Sequence, residues 1–125
     1  ANLHLTLAFL GQVPSARLEA LLDMAAAIEE TGDLIGYFHT GDSHRGYMGS
    51  GTVDLQGVFR ALVRVGYTGP ITFESFSSAV VAPGLSNDLA IWRNLWDDGE
   101  DLAAHARRFV HDGLRNAQAL TGARG

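Results

Sequence analysis

Three short apolar runs rich in strand-forming residues, alternating with segments of helical periodicity, predict an α/β fold of three parallel strands, each followed by a helix. A β-α-β-α-β-α order favours a parallel sheet with right-handed crossovers. Glycine, proline and Asn/Asp punctuation between the runs sets the element boundaries. At 125 residues the chain can bury a real core, yet a whole eight-stranded β/α barrel takes about 250 residues. The expectation is therefore a partial barrel fragment, compact as a single domain.

The first run, Leu3 to Leu10, is bounded by Gly11 and Pro14 and reads as a strand and turn. Leu18, Leu21, Leu22, Ala25 and Ile28 recur at helical spacing, with Gly32 and Asp33 as the stop. Leu34 to His39 is the second strand, delivering a glycine-rich loop from Thr40 to Thr52. Asp54 is placed to cap a helix whose Leu55, Val58, Phe59, Leu62 and Val63 share one face, and Gly66 closes it. Pro70 to Phe76 is the third strand. After a loop with Pro83 and Gly84, Asn87 or Asp88 caps a helix carrying Leu89, Trp92, Leu95 and Trp96. The last helix runs from about Glu100 to Ala119 and leaves a short tail.

Composition narrows the chemistry. With 14 acidic residues against 9 basic, the net charge of −5 speaks against nucleic acid as a partner. Every basic residue is arginine, so neither a Schiff-base lysine nor a lysine-dependent phosphate loop is available. The absence of cysteine removes thiolate catalysis, disulfides and zinc–sulfur sites. No apolar run approaches the roughly 20 residues of a membrane span, and no targeting segment is recognisable, so a cytoplasmic location with no membrane partner is the expectation.

In parallel β/α folds the chemistry collects at the C-terminal strand ends. His39 and Glu74 end neighbouring strands and should face one crevice. An imidazole nitrogen beside a carboxylate oxygen suits a divalent transition metal; the plainer alternative is a hydrogen-bonded histidine and a carboxylate paired with an arginine. Arg45, in the loop beyond His39, could present its five donors to a substrate oxygen or remain a simple loop arginine. Gly46, Gly49 and Gly51 serve as turn formers more naturally than as an anion cradle. Trp92 and Trp96 fit core packing better than a ligand platform. His105 and His111 fall on different faces of the last helix and suit a surface or interface. The adjacent Asp42, Ser43 and His44 do not make a catalytic triad, which draws on separated elements.

The runs GYFHTGDSHRGYMGSGTVD (residues 36–54) and GYTGPITFESFSS (residues 66–78) resemble the ketose 3-epimerases of the tagatose/psicose type, within the xylose-isomerase-like barrel superfamily. The likeness covers about residues 24–110. It implies a divalent metal, commonly manganese or cobalt, held by two glutamates, an aspartate and a histidine. His39 matches the histidine ligand, Glu74 the later glutamate and Arg45 an arginine that contacts the sugar, while Asp42 stands where glutamate is common. Glu74 would also be one of the acid/base pair at carbon 3 of a small-molecule ketose. The other ligands have no match here, so the implied site is half present.

The opening run, ANLHLTLAFLGQVPSARLEALL (residues 1–22), resembles a different family, the two-histidine phosphoesterases related to 2′-5′ RNA ligases. His4 and Thr6 supply one H-x-T motif and no second one occurs, so the resemblance implies an incomplete, silent site. The chain thus reads as residues 1–22 of one origin joined to residues 23–120 of another. Such a fragment, catalytic or not, would leave strand edges and helix faces uncovered, which predicts a homo-oligomer, most simply a two-fold dimer.

Overall fold

The computed structural model describes residues 24–122. Helix α1 spans Met24–Thr31, a 3-10 turn spans Gly32–Leu34, and strand β1 spans Phe38–Thr40. Helix α2 is Leu55–Arg64, strand β2 Ile71–Phe73, helix α3 Pro83–Asp88 and helix α4 Gly99–Gly122. The two strands pair in parallel, with Phe38 opposite Ile71, His39 opposite Thr72 and Thr40 opposite Phe73. The expected strand over residues 3–10 and the start of the first expected helix lie outside the described residues, so two of the three expected strands are seen.

Pairing parity sorts the side chains of this small sheet. Phe38 and Thr40 are buried while His39 between them is exposed, as alternation across a pleated strand requires. Phe38 packs with Ile28, Val58, Ala61 and Leu62, so α1 and α2 cover that face. A second core brings Met48, Leu55, Phe59, Ala106 and Ala117 together and docks α4 on the far side of α2. Phe59, fully buried, tilts against Phe109 with ring centroids 6.1 Å apart. The opposite sheet face, carrying Tyr37, His39, Thr72 and Glu74, has no covering helix among the described residues.

Helix α2 begins and ends as its residues dictate. The Asp54 carboxylate accepts the Gly57 N–H at 2.9 Å, satisfying one of the free amides of the first turn. At the other end Gly66 takes φ +69; its N–H reaches Val63 O and the Tyr67 N–H reaches Leu62 O at 2.9 Å, a Schellman closure. Helix α4 is capped by Asp98, whose Oδ1 accepts from Glu100 and Asp101. Its extent agrees with the expected Glu100 to Ala119 and runs one turn further.

Four expectations need correction. The strands are shorter than the apolar runs, because Leu34 enters the 3-10 turn and the residues after Glu74 bend away to bond the Arg45 carbonyl. The helix expected beyond Asn87 does not exist: α3 ends at Asp88 and residues 91–96 are extended or irregular. Ala90 takes φ 54, its N–H bonds Asn87 O, and the Ile91 N–H bonds Ser86 O at 2.8 Å, so a second Schellman closure stops the helix where a new one was expected. Pro83 is the first-turn proline of α3, a helix start rather than a loop residue. Finally, Trp92 is 77% exposed and does not pack in the core.

Candidate functional site

Register brings His39 and Glu74 together. His39 lies opposite Thr72, and Glu74, two residues further along, points to the same face. The Glu74 N–H continues the ladder to Thr40 O at 2.9 Å. His39 Nδ1 and Glu74 Oε2 stand 3.3 Å apart, with side chains 55% and 53% exposed. Tyr37 tilts over the His39 ring at 5.0 Å between centroids and shares a hydrogen bond with the Thr72 hydroxyl. The pair is therefore oriented by strand geometry and by a neighbouring ring, and opens toward solvent.

The loop between β1 and α2 is built around Asp42. Its carboxylate accepts the N–H groups of Ser43 at 2.7 Å, Gly49 at 2.8 Å and Gly51 at 3.0 Å. Burial pushes the Asp42 carboxyl upward, but the backbone donors of Ser43, Gly51, Gly49 and Val53 outweigh it, and the net result lies below the ordinary value. The glycine loop does cradle an anion, and that anion is the protein's own carboxylate. At Gly51 a Cβ would lie 1.9 Å from Asp42 Oδ1, so only glycine lets the amide approach.

His44 is part of the same scaffold. Its Nδ1 accepts the Gly46 N–H at 2.9 Å, which leaves the proton of the neutral ring on Nε2, 3.1 Å from Ser50 Oγ. Asp42, Ser43 and His44 thus spend their polar atoms on the loop and not on a triad. His105 on α4 donates from Nε2 to Met48 O at 2.9 Å and packs between Tyr47 and Phe109. His111 is exposed, and the two share no site.

Arg45 has left-handed backbone, φ 61, uncommon for a residue with a side chain. Its N–H bonds Asp42 O at 2.9 Å and its carbonyl accepts the Phe76 N–H at 3.2 Å. The guanidinium lies over the Phe76 ring, 5.3 Å from the centroid, and donates to Leu89 O at 3.5 Å. Arg45 lines a small pocket with Ser43, His44, Phe76, Ile91 and Leu95. Sequence reasoning read Trp96 as a packing residue and missed Ser75, to whose hydroxyl the Trp96 indole N–H donates beside Arg45; two polar groups separated by a loop carry no periodic signal.

Two donor atoms 3.3 Å apart fit one divalent cation: legs of about 2.1 Å span that gap at an angle of roughly 100°, as in tetrahedral or octahedral sites. Among the described residues no group of three or more His, Asp or Glu gathers for a metal, so the fit is that of half a coordination sphere. His4 and Thr6 lie outside the described residues.

An α/β unit with a small parallel sheet, helices on one face and an imidazole–carboxylate pair on the other superposes on part of solved sugar 3-epimerases. The relatives include ketose and L-ribulose 3-epimerases. The chain is 56% identical over 92 residues to the ketose 3-epimerase of Arthrobacter globiformis, a match covering 74% of this chain and 32% of that enzyme. A solved L-ribulose 3-epimerase superposes with a TM-score of 0.77 at 44% identity, over 81% of this chain and 34% of that one. A D-allulose 3-epimerase from Methylomonas sp. in complex with D-allulose superposes with a TM-score of 0.68 at 54% identity, over 71% and 31% of the two chains. The chain spans about a third of the length of the relatives it matches. No family model matches, and no helix among the described residues is long and apolar enough to cross a membrane.

Proposed function

We propose that the chain carries one half of a ketose 3-epimerase centre, in which His39 and Glu74 hold a divalent metal, manganese or cobalt, and Arg45 contacts the sugar. The single observation carrying this reading is the 3.3 Å approach of His39 Nδ1 to Glu74 Oε2, on a sheet face that no helix covers among the described residues. A cation bound there would polarise the ketose oxygens and lower the cost of removing the carbon-3 proton. Glu74 is the group that takes and returns that proton, because its second oxygen is available beyond the one facing His39. Arg45, fixed at its backbone and stacked on Phe76, offers guanidinium donors to a sugar hydroxyl.

Inversion at carbon 3 needs a proton donor on each face of the planar intermediate, and the residues named here supply one. In heavy water with manganese, the chain should therefore introduce deuterium at carbon 3 of D-tagatose, D-fructose or D-psicose with little net epimerisation. NMR of the sugar reads both outcomes. Exchange should disappear in Glu74→Gln. Manganese uptake without exchange in the wild type would leave a metal site and remove Glu74 from the chemistry.

A second reading is a non-catalytic, self-associating fold unit. It is favoured by the exposure of Tyr37 at 55% and Leu34 at 75%, beside a sheet of two strands among the described residues. Absence of both metal uptake and exchange, together with self-association, would select it. The phosphodiester reading at His4 and Thr6 rests on a single H-x-T motif, and cleavage of a 2′-5′ dinucleotide lost in His4→Ala would be its test.

A further inference from the structure

Arg45 combines two features that do not coexist without support. Its backbone is left-handed at φ 61, a conformation that the Cβ of an L-residue disfavours, and it is the residue proposed to touch the sugar. Its N–H is tied to Asp42 O at 2.9 Å. On the carbonyl side the residues immediately after Glu74 do the holding. The Ser75 hydroxyl donates to Arg45 O, and the Phe76 N–H donates to the same oxygen at 3.2 Å. Ser75 Oγ in turn accepts the indole N–H of Trp96 at 2.8 Å. That contact leaves the hydroxyl proton directed at Arg45, since the oxygen's acceptor side faces the indole.

We propose that Ser75 is a positioning residue for Arg45: its hydroxyl, oriented by the Trp96 indole N–H, locks the left-handed backbone that aims the guanidinium. The inference rests on the reading of Arg45 as a sugar contact. Ser75 directly follows Glu74, so one serine joins the segment carrying the carboxylate to the loop carrying the guanidinium. Trp96 is held there because the irregular segment that follows α3 is tied back to the segment before it, the Ser77 hydroxyl donating to Asn94 Oδ1 at 2.7 Å. The Ser75 hydroxyl spends its hydrogen bonds on Arg45 O and the Trp96 indole, so its removal should leave metal uptake alone.

The test compares Ser75→Ala, Ser75→Thr and Trp96→Phe with the wild type. D-allulose binding should weaken about tenfold in Ser75→Ala and Trp96→Phe, the loss expected for one hydrogen bond, and recover in Ser75→Thr. Manganese affinity should stay within about twofold throughout. Equal D-allulose affinity in wild type and Ser75→Ala would overturn the proposal. So would a loss that Ser75→Thr shares and that follows only a lowered thermal midpoint. If the wild type does not bind D-allulose, the sugar-contact reading fails, and hydrogen exchange then decides the lock alone. Exchange of the Phe76 amide and the Trp96 indole should be about tenfold faster in Ser75→Ala but not in Ser75→Thr; unchanged exchange would overturn the lock.

Discussion

Gly113 on α4 lies so close to the Phe59 ring of α2 that a Cβ at this position would come within 2.2 Å of Phe59 Cδ2. Phe59 is fully buried, so the ring has nowhere to retreat. Gly113→Ala gains up to about 1 kcal/mol of helix propensity but forces α4 away from α2, which costs roughly 1–3 kcal/mol. The expected result is a lower thermal midpoint. Adding Phe59→Leu should recover part of the loss, because the ring is the obstacle; a double variant that falls by the sum of its singles would contradict this.

Asp42 governs the pH response of the loop. Its carboxyl lies below the ordinary value when folded, so its contribution is present above the unfolded carboxylate range near about 3.9 and is lost as pH falls through the folded value. Asp42→Asn replaces an acceptor-only group by one whose NH2 confronts backbone donors, and should cost about 1–3 kcal/mol at neutral pH. Urea unfolding across pH is the measurement. The gap between wild type and variant should close in strong acid, and a constant gap would mean the charge is not what holds the loop.

Two substitutions at Arg45 separate backbone from side chain. Arg45→Ala removes the guanidinium and keeps a side chain at φ 61; Arg45→Gly removes both the guanidinium and the strain. Both should lose ketose affinity, while Arg45→Gly should be more stable than Arg45→Ala by about 1 kcal/mol. Thermal midpoints read beside a sugar titration check it, and a more stable alanine variant would rule out the strain.

Self-association is expected because the face bearing Tyr37, His39, Thr72 and Glu74 has no cover among the described residues, and Trp92 is also exposed. A two-fold dimer would cover apolar surface with the fewest chains. Sedimentation at micromolar concentration should give about twice 13.4 kDa, and a clean monomer would show the surface to be tolerated alone.

Much of this fold was legible in the sequence where a local signal matched a local cause. Asp54 and Gly66 bracket α2 as written, since capping and left-handed closure depend on neighbours in the chain. The pairing of His39 with Glu74 followed from strand-end placement, and register explains it. Helix α3 was misplaced because Ala90 adopts the left-handed position that glycine normally announces. Trp92 was expected inside because its spacing from Trp96 suited a helix, and once the helix stops that spacing has no meaning. The Asp42 nest and the Ser75–Trp96 contact were invisible for another reason: they join atoms across folded loops, and neither pattern nor composition encodes such contacts.

Manganese titration of the wild type, His39→Ala and Glu74→Gln, followed by the paramagnetic relaxation of water protons, tests the proposed centre most directly. The wild type should bind, more weakly than a four-ligand site would, and each variant should lose more than roughly tenfold in affinity because half of the available donor set is removed. Equal binding by all three proteins would contradict the account, and His39 and Glu74 would then be no more than a hydrogen-bonded pair at the end of two strands.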